Sequence, residues 1–343
     1  MATAAAVAAA PPTLDLCTVL IESKRIINAH SRHFLALSVL FLLPLSFSLT
    51  VYPTLQNLLS KSSTSNSKIF LTSSVFFFDQ DPSDFIIAKN IVLSLLFFLF
   101  VSVFALLSVG SITYSVLHGF YGRPVKFKSA IKSAFASFLP LLITVFFVEI
   151  AVSAISLVSG FSLFLVIKGI ELLGLELQFS SPYFIGLSVI VSIVLVLTLV
   201  YLQLNWSLAT VIAVVESSWG LAPLKRSSFL IKGMRGVAFA LLLFFGFLVG
   251  ILLFLTSVSG VTLGIGTSRG WKTCGSILQI VGTSTLLMLL LLYNVAAHTV
   301  LYMYCKAIHG ELAWEIAEEF AREYVSLPFD DGKVPHLVSV VYT

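Results

Sequence analysis

Glu216-Ser-Ser-Trp-Gly-Leu-Ala-Pro-Leu-Lys-Arg-Ser-Ser-Phe-Leu-Ile-Lys-Gly-Met-Arg235 is a short basic connector set between long apolar runs, at roughly 184–215 and 236–259. Lys225, Arg226, Lys232 and Arg235 cannot enter hydrocarbon cheaply, and the runs beside them cannot stay in water. A second basic connector, Tyr121-Gly-Arg-Pro-Val-Lys-Phe-Lys-Ser-Ala-Ile-Lys132, lies about a hundred residues earlier. Together they declare a chain that crosses a membrane repeatedly and fix which side it faces.

Composition agrees. Of 343 residues, 58% are hydrophobic and 10% charged, and mean hydropathy is +1.04, whereas soluble domains carry about 25% charged residues. The net charge of +4 is too small to point to nucleic acid. Cys17, Cys274 and Cys305 are widely spaced and form neither a metal pattern nor a disulfide framework. Cys17 and Cys305 fall near the expected cytosolic surface, where S-palmitoylation is an option beside the simpler reading as small apolar residues.

Six apolar runs, at about 34–53, 91–118, 136–159, 184–213, 236–259 and 278–305, each reach the ~20 residues needed to cross a bilayer. Pro44 and Pro140 are expected to kink the first and third. A shorter run at 161–170 either continues the third span or re-enters the membrane. Most of the 20 Lys and Arg lie on one side: Lys24, Arg25 and Arg32, the two connectors, and Lys306, Arg322 and Lys333. Lys61, Lys68, Lys89, Lys168, Arg269 and Lys272 lie on the other. The positive-inside rule then places both termini in the cytosol, as an even number of spans requires. The membrane itself is the endomembrane system or the plasma membrane.

Outside the 33–306 membrane domain, residues 1–13 read as a disordered leader. Residues 14–32 read as an interfacial helix with Leu16, Cys17, Leu20, Ile21 and Ile27 on its apolar stripe. The 54–89 loop is Ser/Thr-rich and then acidic at Asp79, Asp81 and Asp84, and the 260–275 loop is Gly/Ser/Thr-rich and flexible. In 311–325, Leu312, Ile316, Phe320 and Tyr324 recur every fourth residue among acids, an amphipathic acidic helix suited to pack on the basic connectors or to recruit a cytosolic protein. Residues 326–343 form an irregular tail.

The connectors share Gly, Pro, a basic pair, Ser, an apolar residue and Lys in order, so spans two–three and four–five read as parallel hairpin repeats. Each connector is expected to lie flat, with Val125, Phe127 and Ile131, or Leu224, Phe229 and Leu230, turned toward the membrane. On Glu216-(x)2-Trp-Gly-Leu-Ala-Pro-Leu-Lys-Arg-Ser-(x)3-Ile-Lys-Gly233 and Ala296-Ala-His-Thr-Val-Leu-Tyr-Met-Tyr304 the chain resembles a large family of plant multi-pass membrane proteins of unknown function. That family is distantly similar to the bacterial membrane domain associated with glycerophosphodiester phosphodiesterases. The resemblance implies a six-helix membrane domain and carries no catalytic residues.

The candidate site residues follow from cost. Glu149, near the middle of span three, is expensive in hydrocarbon, so it is a functional candidate beside the plainer reading of a protonated, hydrogen-bonded helix tie. Asn294 and His298, four apart in span six, share a face. They partner Glu149 in a polar core or ion path, or glue helices together. Gln203 and Asn205 in span four read as packing or interface residues. Arg123, Lys126, Lys128, Lys132, Lys225, Arg226, Lys232 and Arg235 are positioned to meet anionic lipid headgroups, at roughly 1 kcal/mol each, or simply to set topology. The expectation is an all-α polytopic bundle, with no enzyme activity, cofactor or metal, that organises, scaffolds or traffics in a membrane. The rival reading is a transporter or channel built on Glu149, Asn294 and His298, and it requires an open cavity at Glu149 where a scaffold requires a closed bundle.

Overall fold

The computed structural model describes residues 15–53, 55, 82–172, 182–263 and 271–317. Side-chain surroundings are described for these except 82–90, 257–263 and 271–276. The leader 1–13, most of the 54–89 loop, most of the 260–275 loop, and Phe320, Tyr324 and the 326–343 tail lie outside the described residues.

The protein is all-α, with no strand among the described residues. Six helices are long and apolar enough to cross a membrane: Ser31–Pro53, Ile91–Phe120, Phe127–Leu172, Pro182–Val215, Arg235–Thr256 and Ile277–Ile308. The third continues without a break through 161–170 to Leu172, so that segment extends the span and is not a re-entrant piece. Pro140 lies inside the same unbroken helix. Pro44 acts differently. It lacks the N–H of the helical ladder, and just before it Ser38–Leu42 opens into a π-helical turn in which the Leu43 N–H reaches back to the Ser38 carbonyl. The wider turn makes room for the ring.

Burial is concentrated at the end of the bundle where the connectors lie. Ile112, Val116, Ala130, Ala134, Ile212, Leu230, Val300, Leu301 and Tyr302 are all fully buried there. At the far end Leu95, Leu157, Ile193, Phe254 and Leu278 are each more than half exposed. Such faces are stable against lipid tails but not against water, which is why mean hydropathy is so high. Without a hydrophobic drive between helices in lipid, close approach depends on small residues. The tightest pairing, between spans two and three, is built that way: a Cβ on Gly110 would lie 3.1 Å from Cα of Ala134. Hydrogen bonds add cross-links, Thr50 to Ser284 at 2.8 Å, Tyr52 to Ser94 at 2.9 Å and His33 to Ser115 at 3.0 Å.

The amphipathic helix Leu16–Ala29 packs on spans two and six. Its buried face is Val19, Ser23, Ile26 and Ile27; of the expected stripe, Ile27 is buried and Leu16 and Leu20 pack partly buried on the core, while Ile21 and Cys17 are exposed. A helix docked on protein is thereby selected by the shape of its neighbours as well as by its own periodicity. Cys305, the other palmitoylation candidate, is fully buried.

The two connectors diverge. Both have a glycine at positive φ, Gly122 at 70° and Gly220 at 72°. After the first, Phe127 opens the third span directly, so Lys128 and Lys132 sit on that helix's opening turns. After the second, a separate surface helix forms, Leu221–Leu230, and Gly233 at φ 97° turns the chain into span five. Only the second connector therefore lies as its own helix. It buries Pro223, Leu224, Ser227 and Leu230 at helical spacing, and Phe229 remains 47% exposed.

Candidate functional site

The fourth span is broken. Its first part, Pro182–Asn205, ends in a turn at Trp206, Ser207 and Leu208, and a half-helix, Ala209–Val215, follows. The half-helix has Ala209, Val211, Ile212, Ala213 and Val214 all buried, packed against spans two, three and six. A break frees backbone groups that must find partners away from water. The surface helix supplies them: the Ser227 hydroxyl donates to the Asn205 carbonyl at 2.7 Å and accepts the Leu208 N–H at 3.2 Å. Asn205 helps from its own side, its side-chain amide donating to the Tyr201 carbonyl at 2.9 Å and its Oδ1 accepting a long contact of 3.4 Å from Arg235.

Two clefts, open to the surface, flank the break. One, of about 390 Å³, is lined by Glu149 and Val152 of span three, Leu199, Gln203 and Trp206 of span four, and Leu242 of span five, among others. The second, of about 380 Å³, is lined by Gln203, Ser207, Leu242, Asn294 and His298 with apolar neighbours. Gln203 and Leu242 line both. Glu149 therefore does not join Asn294 and His298 in one cluster as expected: the three residues are divided between adjoining chambers. Glu149 is exposed and makes no side-chain hydrogen bond or ion pair among the described residues. His298 turns Nδ1 to the Asn294 carbonyl at 2.8 Å, so the pair is tied through backbone. Asn205 lines neither cavity and belongs to the break.

A polar chain closes the connector end just beyond the half-helix. The Tyr302 hydroxyl donates to Glu216 at 3.0 Å. Arg226 reaches Glu216 at 3.4 Å and pairs with Glu311 on the short helix 311–317. Lys306 pairs with Glu315 of that helix at 2.7 Å. Burial works against the Arg226 guanidinium, but Glu311 and Glu216 outweigh it and hold the group above the ordinary arginine value. Within 311–317 the contact with the basic connector is the Glu311–Arg226 pair, while Ile316, on the expected apolar stripe, is exposed. The chain of contacts also removes Arg226 from the headgroup candidates, because its fork is occupied by carboxylates.

The remaining basic candidates face outward. Lys126, Lys128, Lys132, Lys225, Lys232 and Arg235 are exposed. Arg123 is exposed and rests over the Tyr121 ring at 5.6 Å. Around Lys225 and Lys232 stand the exposed Trp219, Leu221 and Phe229, and Lys232 lies 5.7 Å from the Phe229 ring centre.

Sequence reasoning missed Ser227, Tyr302 and the break. The break carried one signal, the polar Gln203, Asn205 and Ser207 clustered inside an otherwise apolar run. Ser227 and Tyr302 carried none, since each acts on a residue far away in the chain.

The chain belongs to the DUF8558 family, defined by a domain of unknown function whose model matches residues 12–331. No curated protein and no solved structure matches it.

Proposed function

We propose that this DUF8558 protein is a non-enzymatic integral membrane protein that binds a small solute between its spans and passes it across the bilayer. The observation behind this reading is the broken fourth span, with a cavity on each side and an ionisable side chain, Glu149 or His298, in each wall. Discontinuous helices that line cavities are how membrane proteins bring polar groups to a solute at depth. Flux from reconstituted vesicles tests this reading. Wild-type protein carries solute faster than protein-free vesicles, and Glu149→Gln or His298→Ala cuts the rate roughly tenfold, a ~1.4 kcal/mol effect. Vesicles with wild-type protein no leakier than empty ones, to protons, alkali ions and organic ions alike, contradict it.

A second, organising reading rests on the surface helix, where Trp219, Leu221 and Phe229 stand exposed among Lys225, Lys232 and Arg235. Aromatic and basic residues together suit an anionic headgroup layer. We place this face and both termini in the cytosol on the Lys and Arg distribution, in the endomembrane system or the plasma membrane, with any cytosolic protein partner at the tail beyond residue 317. Kinship with the plant multi-pass proteins and the bacterial phosphodiesterase-associated domain forms part of the same proposal. Flotation with anionic vesicles, weakened by Lys225→Glu with Lys232→Glu, tests the lipid contact.

A further inference from the structure

The cavity at Glu149 has an uneven lining. One carboxylate and one amide, Glu149 and Gln203, and one indole, Trp206, are set among Val148, Val152, Leu199, Val200, Leu202 and Leu242. We infer that this cavity binds an organic cation of the quaternary-ammonium class, with Glu149 as its counter-charge and Trp206 as its aromatic contact. The inference rests on the solute-binding reading above and names the ligand class of that site.

A metal ion does not suit this wall. Calcium needs about six to eight oxygen ligands, and magnesium a near-ideal octahedron, whereas the cavity offers one carboxylate and one amide among aliphatic side chains. A quaternary ammonium brings its own apolar shell, loses water readily, and is held by an aromatic ring together with a nearby negative charge. Its methyl or ethyl groups match the valine and leucine surface. A volume of about 390 Å³ lies within the range of small-molecule sites, roughly 300–1,000 Å³. Glu149 is exposed in this cleft with no side-chain partner among the described residues, so its carboxyl group is open to a cationic ligand. The neighbouring chamber has no carboxylate in its lining, so the cation is assigned to the Glu149 side of the break.

The test is binding of tetraethylammonium and choline to full-length protein in a choline-free maltoside detergent, by calorimetry and by ligand-induced thermal shift. The expected result is saturable binding that Glu149→Gln weakens about tenfold or more and Trp206→Phe weakens less, with Ser228→Ala, whose hydroxyl only bonds back to the Lys225 carbonyl, unchanged. Glu149→Asp, keeping the charge, retains part of the affinity and shows that the Gln variant lost charge rather than fold. A short-chain phosphatidylcholine that competes more tightly than choline identifies the ligand as a lipid headgroup, and weaker competition identifies a free cation; either supports the class. Absence of binding by wild type, or binding equal in wild type and Glu149→Gln, overturns the inference. Flux of another solute in the vesicle experiment leaves the transport reading standing when that happens, so the two fail separately.

Discussion

Ser227 on the surface helix donates its hydroxyl hydrogen to the backbone carbonyl of Asn205 at 2.7 Å, across a break in the fourth span. The same oxygen receives the Leu208 N–H, so one side chain satisfies both ends of an interrupted helix. The residue before it, Arg226, holds the acidic helix 311–317 through Glu311. One surface helix therefore closes the break on one side and anchors the tail on the other.

Replacing Ser227 with Ala removes that bridge and leaves a buried carbonyl and amide without partners. The expected loss is about 1–3 kcal/mol, visible as a lower melting temperature in detergent. Ser228→Ala, whose hydroxyl only bonds back to the Lys225 carbonyl, is expected to melt like wild type. Equal melting of the two variants would remove Ser227 from its structural role.

Arg226, Glu216 and Glu311 are each about 30% exposed, so their pairing is worth roughly 0.2–1 kcal/mol and weakens with salt. A double-mutant cycle of Arg226→Ala with Glu311→Gln should show that coupling at low salt and lose most of it near ~1 M. Tyr302→Phe, which deletes a hydrogen bond to Glu216 from a fully buried ring, should cost about 1 kcal/mol or slightly more with no salt dependence of its own.

Gly110 is the closest crossing point of spans two and three. Gly110→Ala must push Ala134 by a few tenths of an ångström and is expected to be mild. Gly110→Val adds a branched side chain against backbone and should cost about 1–3 kcal/mol. Melting curves that rank the two in the opposite order would contradict the crossing.

In a Cys274→Ser background a maleimide should label Cys17, which is exposed, and leave Cys305 untouched until the protein is denatured. Rapid labelling of both would mean that the helix Leu16–Ala29 is not packed on span six.

The six spans were legible because about 20 apolar residues in a row have no other stable home. Glu149 was legible for the converse reason: charge is conspicuous in hydrocarbon. What the residues did not disclose is which faces turn inward. The spans are apolar on every side, so no stripe separates lipid from neighbour, and the division of Glu149 from His298 could be seen only once the helices were placed. The break was hidden in the same way, since Trp206 and Leu208 keep the run hydrophobic and the group that repairs it, Ser227, lies on another helix. Val19 and Ile26 outranked Cys17 and Ile21 because spans two and six, not a flat membrane surface, face that helix.

The claim that most needs testing is that the chambers beside the break admit water and solute, unlike the lipid-facing surface. Gln203 lines both chambers and is exposed, whereas Leu197, six residues earlier on the same helix, is 63% exposed and lines neither chamber. In sealed vesicles, with the native cysteines replaced, each position is changed to Cys and treated with a membrane-impermeant cationic thiol reagent. Reaction at position 203 and none at 197 is the predicted result. Failure of position 203 to react, in protein that reacts normally once denatured, would contradict it and leave a closed bundle.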